Sequence, residues 1–161
     1  MRKMTMSAVA FLVAWCFAMP ISWAQPHDDK ERAELAKALK GVKTPLQQGL
    51  TASAKEGKPI SAKYEVEEGK LQLSIYTMKG DNFSEVIVDH KTGKVAKAEP
   101  ITHDADLAAA KAQSEAMAKA KRTLDAAASE AVKENKGYRV VSVFPALMRI
   151  PAIVIGQSGR S

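Results

Sequence analysis

Apolar and polar residues alternate along three stretches in the middle of the chain, at 60–66, 71–77 and 83–88. An alternation with a period of two is typical of a strand that buries one face. Turn residues separate the stretches at 68–69 and 79–82, and a third hairpin is predicted at 88–95. The pattern therefore predicts a four-strand antiparallel meander.

A short helix is predicted before this sheet. Leu46 and Leu50 are four positions apart and share one helix face. Thr44 is predicted to cap the helix, with Gln47 completing a capping box, and Gly57-Lys58-Pro59 to end it. One face of the sheet has to be covered by another element. We expect this helix to be the cover.

A second helical pattern runs through an alanine-rich stretch from Asp104 to Asn135. A helix of about thirty residues would be about 45 Å long, which is more than the diameter of a small domain. We therefore expect its first half to project, to bend or to serve as a connector.

The first 24 residues have the pattern of a secretory signal peptide. Two basic residues precede an apolar run at 6–19, which is short for a membrane span at 14 residues. Ser22 and Ala24 are small, which predicts cleavage between Ala24 and Gln25. A polar linker or short helix is predicted at 25–43. We expect a periplasmic or secreted protein that contacts the membrane only transiently, through the signal peptide. An uncleaved N-terminal anchor is the alternative.

One segment of the chain recurs 78 residues further on. The run AKEGKPI at 54–60 matches VKENKGY at 132–138, and Leu46 matches Leu124 at the same offset. The strand predicted at 60–66 matches residues 138–144, so a strand is predicted there as well. Two copies of a helix followed by a strand are the economical interpretation.

The first copy, residues 44–101, resembles the PepSY family. It has a short helix, a Gly-Lys-Pro break, and strands that end in the turn VDHKTGKV at 88–95. Within this turn, Asp89 is placed to bond amides, Thr92 follows, and Gly93 is free to take a positive φ. We assign these three residues a structural role.

The second copy, residues 122–161, looks like the start of another such module, and residues 102–121 are predicted to connect the two. The predicted fold is α+β: a helix packed on an antiparallel β-meander, followed by a long alanine-rich helix and a partial second copy.

The resemblance implies a module found in exported bacterial proteins. Some members form propeptide segments of secreted peptidases, where the module is thought to act as an inhibitor or chaperone. Others are sensor or accessory domains at the cell envelope. No catalytic residue set belongs to the module, so none is carried over to this chain.

The second copy departs from the family pattern because no second Asp-x-x-Thr-Gly turn follows Phe144-Pro145. Three explanations stay open: an edge remains unpaired, a partner supplies a strand, or the reading frame has changed near Leu147. An unpaired edge at 153–155 would be an aggregation hazard.

Charge and cysteine content argue against nucleic-acid binding and against cysteine chemistry. The formal net charge is +6, but lysines are scattered among glutamates, which is typical of a solvated mixed-charge surface and not of nucleic-acid binding. The only cysteine, Cys16, lies inside the predicted signal peptide. The processed protein would therefore have no disulfide and no thiolate nucleophile.

No motif in the sequence indicates catalysis. There is no Gly-x-Ser-x-Gly elbow and no glycine-rich phosphate loop. The histidines, His27, His90 and His103, lack the spacing of metal ligands. We therefore expect no enzyme, no cofactor and no metal site.

These observations favour an exported, non-catalytic binding or regulatory module. The expected partner is an envelope or secreted protein, with a peptidase as one candidate, and an exposed sheet edge could dock it by strand addition. Two alternatives remain: a small-ligand or metal-binding periplasmic protein, and a degenerate, truncated family member.

Overall fold

A computed structural model of the chain describes residues 29–145 and 154–156. Within these residues, the α-helices are α1 (Asp29–Ala38), α2 (Leu46–Ser53), α3 (Asp104–Lys119) and α4 (Leu124–Glu134). The strands are β1 (Lys58–Glu67), β2 (Lys70–Lys79), β3 (Asn82–Val88), β4 (Val95–Pro100), β5 (Tyr138–Val140), β6 (Ser142–Val143) and β7 (Val154–Gly156). A 3₁₀ helix, Leu39–Gly41, follows α1. The predicted α+β class is confirmed.

The main sheet is antiparallel and has the strand order β4-β3-β2-β1-β6. Strands β1 to β4 follow one another through short turns, and each pairs with the next. They form the four-strand meander that the alternation predicts. The short strands β5 and β7 form a separate pair.

Helix α2 packs closely on one face of the sheet because Gly49 has no side chain. A Cβ at Gly49 would lie 2.4 Å from Leu73 Cδ2 and 3.2 Å from Ile75 Cδ1. Both of these strand side chains are fully buried. The main core is formed by buried side chains of α2 and the strands, among them Leu46, Leu50, Ile60, Val86 and Val88.

Helix α3 packs on the opposite face of the sheet. Ser114 Oγ lies 2.8 Å from Met78 Sδ. Side chains alternate along β2, so Met78 points away from the face that holds Ile75. Ala110 and Met117 of α3 are buried. The sheet is thus covered by a helix on each face, not on one face alone.

The alanine-rich helical stretch predicted over 104–135 is divided into two helices, α3 and α4, close to the expected boundary between residues 121 and 122. The chain leaves helical geometry at Ala120, where ψ is 135°. A new cap then begins α4, in which Thr123 Oγ1 accepts a hydrogen bond of 3.1 Å from the Ala126 N–H. The break lets α4 pack against α2 while α3, in the predicted connector at 102–121, covers the other side of the sheet.

The strand predicted over 138–144 is divided between the two sheets. β5 pairs with β7, whereas β6 joins the main sheet at β1, with Val143 opposite Ala62. Within the described residues, β7 pairs with β5 along one of its two edges, so the stretch predicted to be unpaired at 153–155 has one partner strand in the same chain and one open edge.

The predicted signal peptide at 1–24, with its cleavage site between Ala24 and Gln25, lies outside the described residues. The predicted linker or short helix at 25–43 contains α1 and the 3₁₀ helix. Within the described part of the chain, no helix has both the length and the apolar character needed to cross a bilayer.

Replacing Gly49 by alanine tests the close approach of α2 to the sheet. Alanine is favoured over glycine inside a helix by about 1 kcal/mol. The new methyl group must displace the buried side chain of Leu73, however, and overpacking costs about 1–3 kcal/mol. We expect Gly49→Ala to lower the free energy of unfolding by about 1 kcal/mol net, measured by urea denaturation.

The matched control is Thr51→Ala, an exposed position of the same helix, which should not destabilise the protein. If the two variants were equally stable, α2 would not be held against Leu73.

Candidate functional site

The hairpin between β3 and β4 is closed by Asp89, Thr92 and Gly93. Asp89 Oδ1 accepts hydrogen bonds from the Thr92 N–H at 2.6 Å, the Thr92 hydroxyl at 2.8 Å and the Lys91 N–H at 3.0 Å. The bond from the Thr92 N–H is the largest cause of a lowered pKa of the Asp89 carboxyl. Gly93 has φ of 72°, a left-handed conformation that glycine adopts without strain.

This turn docks on residues 39–44, which we call the entry segment because they lead into α2. The His90 carbonyl accepts hydrogen bonds from the N–H groups of Lys43 and Thr44, both at 3.1 Å. A side chain at Gly93 would collide with α2. The turn therefore fixes where α2 begins.

Two side chains donate hydrogen bonds to backbone carbonyls of the entry segment. The Tyr64 hydroxyl donates to the Thr44 carbonyl. Arg139 donates from Nη1 to the Leu39 carbonyl at 2.9 Å and from Nη2 to the Val42 carbonyl at 3.3 Å. Leu39, Val42 and Thr44 are buried, whereas the other three residues of the segment are exposed. The side-chain donors therefore replace the water that the carbonyls of the buried residues would otherwise bind.

These contacts explain two local properties. Thr44 acts through its backbone and does not cap α2: Pro45 is the N-cap, with no side-chain cap bond, so the capping-box prediction is wrong. Burial raises the pKa of Tyr64 to about 12, and the nearby charge of Arg139 partly opposes this rise.

A groove runs between the start of α2, the side of α4 and strand β5. We call it the α2–α4 groove, and its volume is about 450 Å³. It is lined by Lys43, Pro45, Leu46, Gln47, Ser129, Val132, Tyr138, Arg139 and Val140.

The groove combines an apolar floor with a basic wall. Leu46 and Val140 are each 1% exposed and form its deepest part. Tyr138 is 49% exposed, so its aromatic side chain is accessible at the groove. Lys43 and Arg139 supply positive charge, and the lining contains no aspartate or glutamate.

A smaller cavity of about 150 Å³ lies on the face of the sheet that α3 covers. It is lined by Ser61, Ala62, Lys63, Ser74, Tyr76, Gln113 and Phe144. Gln113 Oε1 is buried there without a hydrogen-bond partner among the described residues. Burial, and then the negative charge of Asp106, raise the pKa of Tyr76. This cavity is polar and small.

Strand β4 forms one edge of the main sheet, and all six of its residues are exposed. Lys97 and Glu99 form an ion pair of 2.8 Å along it, and Pro100 has no N–H to offer a new strand. Lysine and proline are residues that edge strands use to resist further pairing. The edge is accessible but poorly suited to strand addition.

The two described histidines belong to different parts of the fold. His27 falls outside the described residues, and His90 lies in the β3–β4 turn. His103 Nδ1 lies 3.7 Å from Asp106 Oδ2 at the start of α3. Among the described residues, no three histidine, cysteine, aspartate or glutamate side chains come together in a way that could hold a metal ion.

Sequence reasoning identified the turn residues but missed the α2–α4 groove. The groove is assembled from three segments, 43–47, 129–132 and 138–140. Its only sequence signal is Tyr138-Arg139 at the end of the repeated run, where an aromatic and a basic residue follow a helix.

Comparison with known proteins gives no match for this chain: no family model, no curated protein and no solved structure is similar to it.

Replacing Gly93 by alanine tests the docking of the turn on α2. Gly93 and Gly69 both have positive φ, but a Cβ at Gly69 meets nothing, whereas one at Gly93 would lie 2.3 Å from Gln48 Nε2. We expect Gly69→Ala to cost about 1–2 kcal/mol from backbone strain alone. Gly93→Ala must also displace the end of the exposed Gln48 side chain and approach Thr44 Cγ2 at 3.3 Å, so it should cost about 0.5 kcal/mol more, measured by urea denaturation.

Adding Gln48→Ala to the Gly93→Ala variant should recover most of that difference, because Gln48 is the side chain in the way. A difference that survives Gln48→Ala would contradict the close contact between Gly93 and α2.

The raised pKa of Tyr64 predicts a loss of stability in alkali. A tyrosine whose folded pKa is about 12 stabilises the fold fully below its unfolded pKa of 10.0 and loses this contribution as the pH rises to 12. We expect the free energy of unfolding to fall by about 2–3 kcal/mol over this range from Tyr64. Tyr64→Phe should show a smaller fall, with the remainder due to Tyr76. An unchanged fall in Tyr64→Phe would refute this assignment.

Proposed function

We propose that this chain is an exported binding module that regulates another protein of the cell envelope or the secreted fraction, with a peptidase as the candidate partner. We place recognition of the partner in the α2–α4 groove. The observation that carries this proposal is the exposed Tyr138 beside an apolar floor in a groove of about 450 Å³. Binding sites for ligands typically have volumes of about 300–1,000 Å³, and tyrosine is enriched at the energetic centres of interfaces.

The arrangement of elements supports a PepSY-like module as part of this proposal. Helix α2 followed by β1 to β4 is the order that the resemblance implies for residues 44–101. The proposed repeat is supported by Leu46 and Leu124, which are the first residues of α2 and α4 and are both buried. We propose that α4 and the strands after it are a partial second copy that completes the groove.

The groove is a better recognition site than the β4 edge. The ion pair between Lys97 and Glu99 and the missing N–H of Pro100 both oppose the addition of a strand at that edge. In the groove, by contrast, an apolar side chain of the partner could be buried against Leu46 and Val140, which removes apolar surface from water.

The small cavity under α3 supports a second candidate function, the binding of a small polar ligand. Its buried Gln113 Oε1 is an acceptor without a partner among the described residues. Calorimetric titration with small hydrogen-bond donors would test this function. Heat that is lost in Gln113→Leu would support it, and the absence of heat would exclude it for the compounds tried.

Comparative capture tests the proposed function. The chain is expressed from its complete sequence, so that any processing occurs, and is used to capture proteins from an envelope extract. We expect one partner whose recovery falls about tenfold in Tyr138→Ala, the loss typical of a central interface residue. Phe144→Ala removes another exposed aromatic side chain, outside the groove, and should leave recovery unchanged.

The captured partner is then purified and tested with the chain alone. If it is a peptidase, its hydrolysis of a peptide substrate should change when the chain is added, and Tyr138→Ala should not have this effect. Circular dichroism confirms that each variant is folded. If no protein's recovery depends on Tyr138, the groove is not the recognition site.

A further inference from the structure

We propose that the α2–α4 groove selects partner segments in which an acidic side chain stands next to an apolar one. This inference rests on the proposed function, because it names the chemistry of the segment that the groove binds.

The charge of the groove is positive and is not neutralised within it. Lys43 is exposed and Arg139 is half-buried, and both line the groove. None of the ion pairs between described residues involves either of them. The lining has no carboxylate of its own. A carboxylate brought by the partner is therefore the group that complements this wall.

Arg139 holds its charge at a fixed position. Its two terminal nitrogens donate to the carbonyls of Leu39 and Val42, at 2.9 and 3.3 Å. These carbonyls are neutral, so they orient the guanidinium without cancelling its positive charge. A cation that is already oriented loses less conformational entropy when an anion binds.

The N-terminal end of helix α2 adds to the positive charge at the groove. Its first residue, Leu46, lines the groove, and the first N–H groups of a helix have no carbonyl partner within the helix. The N-terminal end of a helix carries a partial positive charge. Two side-chain cations and the first residues of this helix therefore border the same groove.

The apolar part of the groove specifies the neighbouring residue. Leu46, Val132 and Val140 line it together with Tyr138. An aliphatic side chain beside the carboxylate would be buried there, while the carboxylate meets the basic wall. Recognition thus requires both features in one short segment.

A pair of isosteric peptides tests the inference. Acetyl-Leu-Glu-Leu-amide and acetyl-Leu-Gln-Leu-amide are titrated separately into the ¹⁵N-labelled chain, and amide signals are followed by NMR. We expect both to shift signals of groove residues such as Gln47 and Ser129. The glutamate peptide should bind about fivefold more tightly, the effect of one favourable exposed ion pair. Added salt should reduce this difference, because the charges are solvent-accessible.

Charge variants connect the preference to the groove. Lys43→Gln should remove most of the difference between the peptides. Lys55→Gln makes the same change of charge beyond the other end of α2, outside the groove, and should leave the difference intact. Arg139 is not varied, because its bonds to the entry segment support the fold.

The outcomes separate this inference from the proposed function. Equal binding of the two peptides in the groove would overturn the acidic preference and leave the groove as a recognition site. A preference that survives Lys43→Gln would also overturn it. If neither peptide shifts any groove signal, the inference fails, and the dependence of partner capture on Tyr138 then decides the proposed function separately.

Discussion

The hydrogen bonding of the half-buried entry segment is the constraint on which the other parts of this fold depend. A buried backbone group without a hydrogen-bond partner costs about 1–3 kcal/mol. Here the partners come from three places: His90 in the β3–β4 turn, Tyr64 in β1 and Arg139 in β5. The position of α2, and with it the main core, follows from all three. The same bonds shape the α2–α4 groove, because Arg139 and Lys43 take part in both.

The elements that could be predicted from the sequence are those with local signals. Alternation and turn residues specify β1 to β4, and the bonds of the β3–β4 turn join residues only two or three positions apart. The sequence marks the end of α3 less clearly than it marks the strands. Alanine favours a helix throughout 104–135, and only the cap at Thr123 indicates the break. Thr44 offered the same kind of cap signal, but its backbone is engaged by His90 and Tyr64 instead.

The candidate site could not be predicted because no local pattern encodes it. The groove exists only after α4 has packed beside α2 and β5 has turned back toward the entry segment. The bond between Arg139 and the Leu39 carbonyl joins residues 100 positions apart. An arginine after a helix has many possible partners, and nothing near it in the sequence indicates which backbone carbonyls it will meet.

The distance along the chain between these partners also sets the order in which the protein can be completed. Arg139 cannot reach Leu39, and Val143 cannot pair with Ala62, until almost all of the described residues have left the ribosome. The final structure therefore has to wait until β5 and β6 have been synthesised. Until then the entry segment and one edge of β1 lack their partners, and the chain has to close a long loop before these contacts stabilise it.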